Sequence, residues 1–149
     1  MSDLTINNVR IISGGAITSR RCVTCRDGRI FRVEDAAGSG DDSGEVIDGE
    51  NMYLVPGFID LHIHGSGDYL VDNGPDDLSG LCRELPKYGV TGFLPTVCPL
   101  PPGQDERFVA SLASVVSQGS AILGIHLEGP FVAISGALPP ALLLMMTLI

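Results

Sequence analysis

The sequence predicts an α/β fold in which a small unit of β-hairpins precedes a parallel sheet. Turn signals separate short strand-like segments in residues 1–55. From residue 56 onward, apolar strand segments alternate with amphipathic helical segments. The chain has 149 residues, of which 44% are hydrophobic and 18% charged, so it is long and apolar enough to form a folded core.

The first 55 residues carry the hairpin signals. Residues 4–12 alternate loosely between apolar and polar side chains and predict a strand. The segments RCVTC and RIFRVE then flank Asp27-Gly28, a dipeptide typical of two-residue hairpin turns. A second pair of strand-like segments, EVID and MYLV, flanks the turn residues 49–51. We therefore expect this region to form a small β unit made of hairpins.

From Pro56 the pattern changes to alternating strands and helices. Three apolar segments predict buried strands at residues 57–64, 89–96 and 120–128. Amphipathic spacing predicts helices at 76–88 and 104–118, and the proline within the first of these limits its last turn. This order of elements predicts a parallel sheet. Three strands are less than half of an eight-stranded barrel, which takes roughly 250 residues.

Charge and the chain ends exclude several classes of partner. The net charge is −9, and nucleic-acid binding would need a basic surface instead. The N-terminus MSDLTINNVRII lacks the basic start and apolar core of a signal peptide. The apolar C-terminus ALLLMMTLI is too short to span a bilayer, which takes about 20 residues. We expect a cytoplasmic protein with neither a nucleic-acid nor a membrane partner.

The four cysteines do not predict a zinc site or a redox centre. Cys22 and Cys25 form a C-V-T-C pair, but Cys82 and Cys98 stand apart and provide no second close pair. The pair also lies among arginines and β-branched residues, whereas a redox pair normally begins a helix beside a βαβ unit. We interpret all four as ordinary thiols in a reducing compartment.

The segment FIDLHIHG carries polar side chains at a spacing of two. Alternation along a strand places Asp60, His62 and His64 on one face, opposite the apolar face that would pack on helices. Gly65 follows, so these side chains lie at the C-terminal end of the strand, where parallel α/β folds bind ligands.

The third predicted strand adds a carboxylate at the matching position. Glu128 ends it, and His126 shares the same face. Because alternate strands of a barrel contribute to one interior layer, we expect His62, His64 and Glu128 to converge on a divalent metal ion. A buried carboxylate needs a partner, which a cation or an arginine would supply. For His126 we favour a supporting role or a substrate contact over a role as a metal ligand. For Asp60 we expect a structural or supporting role in which it holds an imidazole by its other nitrogen. The alternative is that the histidines are ordinary core residues.

Three segments carry a resemblance to a known family. VPGFIDLHIHG resembles the first barrel strand of the amidohydrolase superfamily. YGVTGFLPT and GIHLEGPF are more specific, and together they resemble the N-acetylglucosamine-6-phosphate deacetylase family over about residues 4–140. The resemblance implies an incomplete (β/α)8 TIM-type barrel. Residues 1–55 would then be the N-terminal part of a small β-sandwich domain, and 56–149 the first three βα units.

The resemblance also implies an activity and its residues. The family removes acetate from N-acetylglucosamine 6-phosphate with one or two divalent ions, most often zinc, and the full-length enzyme forms homodimers. His62, His64 and Glu128 match metal ligands, whereas His126, Gly136 and Ala137 match substrate contacts. Leu138 stands where a histidine is often found. The family's catalytic Asp is expected beyond residue 149, so we expect an inactive fragment.

Two alternatives remain at this point. Amidohydrolases of the dihydroorotase or dihydropyrimidinase type often use a carboxylated lysine between two metals, but the only lysine here, Lys87, lies near a helix end. The segment HLEGPF disfavours these enzymes. The second alternative is a remnant or binding module without catalysis, which would bind zinc weakly and would not respond to His62→Ala.

Overall fold

The computed structural model describes residues 3–35, 44–101 and 103–129. The chain divides into two compact units, Met1–Pro56 and Gly57–Ile149. Neither helix that the described residues contain is long and apolar enough to cross a membrane.

The first unit is a five-stranded sheet in which β1 lies at the centre. Strands β1 to β3 form an antiparallel meander. Asp27 and Gly28 connect β2 to β3 with φ values of 50° and 73°, the left-handed conformation of a tight hairpin turn, so the predicted hairpin is confirmed. The strands are β1 (Leu4–Ser13), β2 (Ala16–Arg26), β3 (Arg29–Asp35), β4 (Glu45–Asp48) and β5 (Tyr53–Leu54).

The expectation of a second hairpin is wrong. Strands β4 and β5 both pair in parallel with β1, one with each half of it. The turn between them follows an irregularity of β1, where the backbone N–H groups of Gly49 and Asn51 donate to the carbonyls of Asn7 and Asn8. A Cβ at Gly49 would lie 2.2 Å from a methyl of Val9, so only glycine allows this close approach. The chain therefore bends without reversing direction.

The second unit contains a parallel sheet centred on β9. Strand β6 and the segments β10 and β11 all pair with β9 in parallel, which confirms the predicted sheet. β7 and β8 form a small antiparallel hairpin. The elements are β6 (Phe58–Ile63), β7 (Gly65–Ser66), β8 (Tyr69–Leu70), α1 (Pro75–Glu84), β9 (Val90–Val97), α2 (Asp105–Ala113), β10 (Ala121–Ile122) and β11 (His126–Leu127).

The third predicted strand is interrupted between β10 and β11. The backbone N–H groups of Leu123 and Glu128 still donate to carbonyls of β9, each at 3.0 Å, so the segment runs along β9 throughout. Gly124 lies in the interruption, and glycine weakens regular strand structure. The described residues provide no strand on the outer edge of this segment to regularise it.

Both helices are shorter than predicted. α1 ends at Glu84, and a 3-10 turn over Leu85–Tyr88 follows it, because Pro86 cannot continue the helical hydrogen bonds. Gly89 closes this turn with φ 76°, a left-handed conformation that glycine adopts without strain. α2 ends at Ala113 rather than at residue 118.

The core of the second unit lies between β9 and the helices. Phe93 of β9 and Leu78 and Leu81 of α1 are fully buried within it. On β6, the expectation that the apolar face packs on helices is correct for Ile63, which contacts this core. It is wrong for Ile59 and Leu61, which are 59% and 65% exposed because no described element covers them.

Candidate metal centre

His62, His64 and Glu128 come together at the C-terminal ends of two parallel segments. His62 lies in β6, His64 directly follows it, and Glu128 directly follows β11. The Nε2 atoms of His62 and His64 are 3.2 Å apart, and Nε2 of His64 is 3.2 Å from Oε2 of Glu128. The ligand atoms of all three residues lie within 4.8 Å of one another.

These separations match those of atoms bound to one small cation. For metal–ligand bonds of about 2.0–2.1 Å, ligands at angles between about 90° and 109° lie roughly 2.9–3.4 Å apart. Both 3.2 Å contacts fall within this interval. Two imidazole nitrogens and a carboxylate oxygen are a donor set typical of zinc. The residues therefore fit a divalent metal ion.

Thr96 of β9 fixes the end of β6 and the ring of His126. Its side chain is fully buried, and its Oγ1 accepts the backbone N–H of Ile63 at 3.1 Å. The same oxygen lies 3.2 Å from Nδ1 of His126. The His126 ring is in turn 4.8 Å from that of His62, measured between centroids. His126 is thus held beside the three candidate ligands, with one nitrogen in contact with Thr96.

Cys98 and Asp72 lie on the other side of His64. Cys98 Sγ is 3.6 Å from Nδ1 of His64, and the backbone N–H of Cys98 donates to Oδ1 of Asp72 at 3.3 Å. The pKa of the Cys98 thiol is raised to about 12, mainly by burial and further by a hydrogen bond to Asp72 and the nearby charges of Asp72 and Glu128. The thiol is therefore protonated at neutral pH.

Other residues singled out in the sequence lie in different surroundings. Asp60 accepts a hydrogen bond from the backbone N–H of His62 at 3.0 Å, which agrees with a structural role but not with the expected hydrogen bond to an imidazole. Lys87 lies on the 3-10 turn, forms an ion pair with Glu84 at the end of α1, and is not in this cluster. None of the four cysteines forms a disulfide. Gly136 and Ala137 lie outside the described residues.

Three neighbours of the cluster were not predicted from the sequence. Thr96 carries a detectable signal, because it is a polar residue near the C-terminal end of an apolar strand, as the histidines are. Asp72 resembles an ordinary loop acid, and its side chain is indeed exposed. Cys98 follows β9 with no distinguishing pattern, and only the fold reveals its contact with His64.

Comparison with known proteins identifies relatives. No family model matches the sequence. N-acetylglucosamine-6-phosphate deacetylase from Danio rerio is 32% identical over 130 residues, which cover 79% of this chain and 31% of that protein. The solved Pasteurella multocida deacetylase superposes with a TM-score of 0.76 at 20% identity, over 89% of this chain and 36% of that one. A mutant Mycobacterium smegmatis deacetylase, in complex with N-acetyl-D-glucosamine-6-phosphate, superposes with a TM-score of 0.69 at 25% identity. The superposition covers 88% of this chain and 33% of that one.

These matches confirm the resemblance inferred from the sequence motifs. The relative at 32% identity is a deacetylase, whereas a solved D-hydantoinase, an enzyme of the cyclic-amide type, superposes with a TM-score of only 0.55 at 19% identity. This difference favours the first interpretation over that alternative. The chain spans about a third of the length of the relatives that it matches. The chain is therefore a relative of the N-acetylglucosamine-6-phosphate deacetylases and corresponds to about one third of their length.

Proposed function

We propose that this chain supplies the metal-holding part of an active site that hydrolyses N-acetylglucosamine 6-phosphate to glucosamine 6-phosphate and acetate. The observation that carries the proposal is the convergence of His62, His64 and Glu128 within 4.8 Å. The substrate class is supported by the relatives, of which the Mycobacterium smegmatis protein was solved with N-acetyl-D-glucosamine-6-phosphate bound.

Each residue has a distinct role in this proposal. His62, His64 and Glu128 would hold the metal ion. Their two imidazole nitrogens and one carboxylate oxygen favour zinc as that ion. The bound cation would supply Lewis-acid activation of water and of the amide carbonyl. His126 has its Nδ1 on Thr96, which leaves Nε2 to contact a substrate oxygen. Gly136 and Ala137 remain predicted substrate contacts.

The same proposal covers the domain organisation and the assembly. Residues 1–55 would form the N-terminal part of a β-sandwich domain, and 56–149 the first three βα units of a barrel. The division of the chain after Pro56 and the parallel order β6, β9 and β10–β11 support this assignment. A cytoplasmic location and a homodimer of the full-length family member follow from the sequence and the resemblance, and sedimentation of the full-length protein would test the dimer.

Zinc binding by the 149-residue chain tests the metal site directly. We expect equilibrium dialysis to find about one zinc ion per chain. His64→Ala and Glu128→Ala should each weaken binding by more than the roughly 10–100-fold that loss of an outer hydrogen-bond partner costs. Glu106→Ala, which removes an exposed acid of α2, is the control. Equal zinc binding by all variants, or none by the unaltered chain, would contradict the site and favour a remnant without catalysis.

A chimera tests the activity separately from metal binding. The isolated chain should release no acetate, because the proton-shuttling Asp is expected outside it. Residues 57–129 would therefore replace the matching segment of the Danio rerio deacetylase. We expect this chimera to release acetate and to lose at least about 100-fold in kcat/KM on Glu128→Gln, since metal activation contributes several kcal/mol. An active chimera that tolerates Glu128→Gln would refute the assigned role.

A further inference from the structure

The two ring nitrogens of His64 face different groups. Nε2 faces the candidate metal position, 3.2 Å from both His62 Nε2 and Glu128 Oε2. Nδ1 faces away from it, 3.6 Å from Cys98 Sγ, which is within reach of a hydrogen bond to sulfur. A histidine that binds a metal through one nitrogen carries a proton on the other, and that N–H needs an acceptor. Cys98 is in the position of this acceptor.

Cys98 is itself held by Asp72. The Cys98 backbone N–H donates to Oδ1 of Asp72 at 3.3 Å. A hydrogen bond to the same carboxylate is one of the causes that raise the pKa of the Cys98 thiol. The ligand atoms of His64, Asp72 and Cys98 lie within 4.8 Å of one another. A thiol that donates its proton to a carboxylate has its sulfur lone pairs left to accept from another N–H.

We propose that Asp72 and Cys98 are positioning residues that orient His64 for metal binding. The Asp72 carboxylate accepts the Cys98 S–H, and Cys98 Sγ accepts His64 Nδ1–H, so the Nε2 lone pair of His64 points at the ion. The inference rests on the proposed metal site. In that site a thiol would accept the N–H of the metal-binding histidine, where a carboxylate or a backbone carbonyl usually does so. It concerns residues to which the family resemblance gives no role.

The protonation states that each arrangement requires favour a supporting hydrogen-bond chain for His64 over a second metal site. His64, Asp72 and Cys98 could themselves surround a cation. That cation would need the thiolate and the Nδ1 lone pair of His64. A ring that already gives Nε2 to one ion can give Nδ1 to another only as an imidazolate, after losing both protons. The supporting hydrogen bonds require neither a thiolate nor an imidazolate. They give the Nδ1–H of His64 and the S–H and backbone N–H of Cys98 an acceptor each.

Zinc affinity is the first measurement. Cys98→Ala should weaken zinc binding by the chain about 10–100-fold, and Cys98→Ser should restore part of that loss because a hydroxyl also donates and accepts. Asp72→Asn is the second variant, with a smaller loss expected, since the amide oxygen can still accept the Cys98 N–H. Cys25→Ala removes a thiol from the first unit and is the control.

Spectroscopy separates positioning from general destabilisation. The chain has three histidines, so 15N NMR of the zinc-loaded protein can be assigned to each. We expect zinc on Nε2 of His64 and a Nδ1–H protected from exchange, with protection lost in Cys98→Ala and retained in Cys98→Ser. The cobalt-loaded chain should show no sulfur-to-cobalt charge-transfer band, because Cys98 is not a ligand.

The outcomes distinguish this inference from the proposed function. Unaltered chain that binds no zinc would overturn the metal site itself. Zinc binding that Cys98→Ala leaves unchanged, or an exchange-protected Nδ1–H that survives this substitution, would overturn the positioning role alone. A cobalt–sulfur charge-transfer band would also overturn it and would make Cys98 a ligand.

Discussion

The Nε2 atoms of His62 and His64 lie 3.2 Å apart, although residues two apart on a strand are separated by roughly 6.6–6.8 Å. Their rings converge at the tips, with centroids 5.1 Å apart and planes at 65°. Convergence is possible because β6 ends at Ile63, so His64 has already left the strand. Two nitrogens this close are stable only with a proton or a cation between their lone pairs.

A first prediction concerns metal-dependent stability. Zinc at about 100 times its Kd should raise the free energy of unfolding by about 2.7 kcal/mol, because only the folded chain brings the ligands together. Thermal unfolding with zinc, and again after a chelator, measures this difference. His62→Ala should remove the zinc effect while leaving the metal-free transition close to that of the unaltered chain, since the His62 side chain is exposed. A zinc effect of equal size in His62→Ala would contradict its role.

A second prediction concerns Thr96. Thr96→Val keeps the shape of this buried side chain but leaves the Ile63 N–H without its acceptor. We expect a loss of about 1–3 kcal/mol in the free energy of unfolding, the cost of an unsatisfied buried donor. Denaturant unfolding measures it. Thr96→Ser keeps the hydroxyl and should retain most of the stability, so an equal loss in both variants would point to packing instead.

A third prediction is a pH dependence at Asp77. The backbone N–H of Leu70 and the side-chain amide of Asn73 both donate to its carboxylate and lower its pKa. A carboxylate with a lowered pKa stabilises the fold above its unfolded pKa, and this contribution disappears as pH falls through the lower folded value.

The variant Asp77→Ala should therefore lower Tm at about pH 7, and this effect should shrink at lower pH, as the pH falls through the reduced pKa of the folded state. Asp76→Ala is the matched control, because both acids lie in the first turn of α1 and share the effect of its helix dipole. A Tm difference that persists unchanged at the lower pH would exclude the ionised hydrogen bonds as its cause.

A fourth prediction concerns the reactivity of Cys98. With its pKa raised to about 12, the thiol forms little thiolate at about pH 8, and thiolate is the form that alkylating reagents attack. Iodoacetamide should therefore label Cys98 at least about 100-fold more slowly in the folded chain than in denaturant. Peptide mass spectrometry measures both rates for the same residue. Comparable rates in the two states would show that burial and the hydrogen bond to Asp72 do not keep the thiol protonated.

The elements of the second unit and the face of its histidines were predictable from local patterns. Alternation along a strand determines which side chains share a face, and glycine marks where the strand ends, so His62 and His64 could be assigned to one ligand-binding edge. Glu128 followed from the same rule applied to a second strand. In the first unit, Asp27-Gly28 defined a hairpin because its backbone conformation is a local property of those two residues.

Pairing and contacts across the chain could not be predicted in this way. The parallel pairing of β4 and β5 with β1 depends on an irregularity in another strand, and the turn residues between them do not encode it.

The sequence by itself therefore determined the α/β class, the parallel order and the three candidate ligands, because these depend on neighbours along a strand. Only the tertiary structure decided that Thr96 contacts His126, that Cys98 contacts His64, and that Asp60 binds backbone instead of an imidazole. The contacts of Thr96 and Cys98 join residues 30 and 34 positions apart. Their physical cause is the register of packed strands and the path of the loops that follow them, which no local pattern specifies.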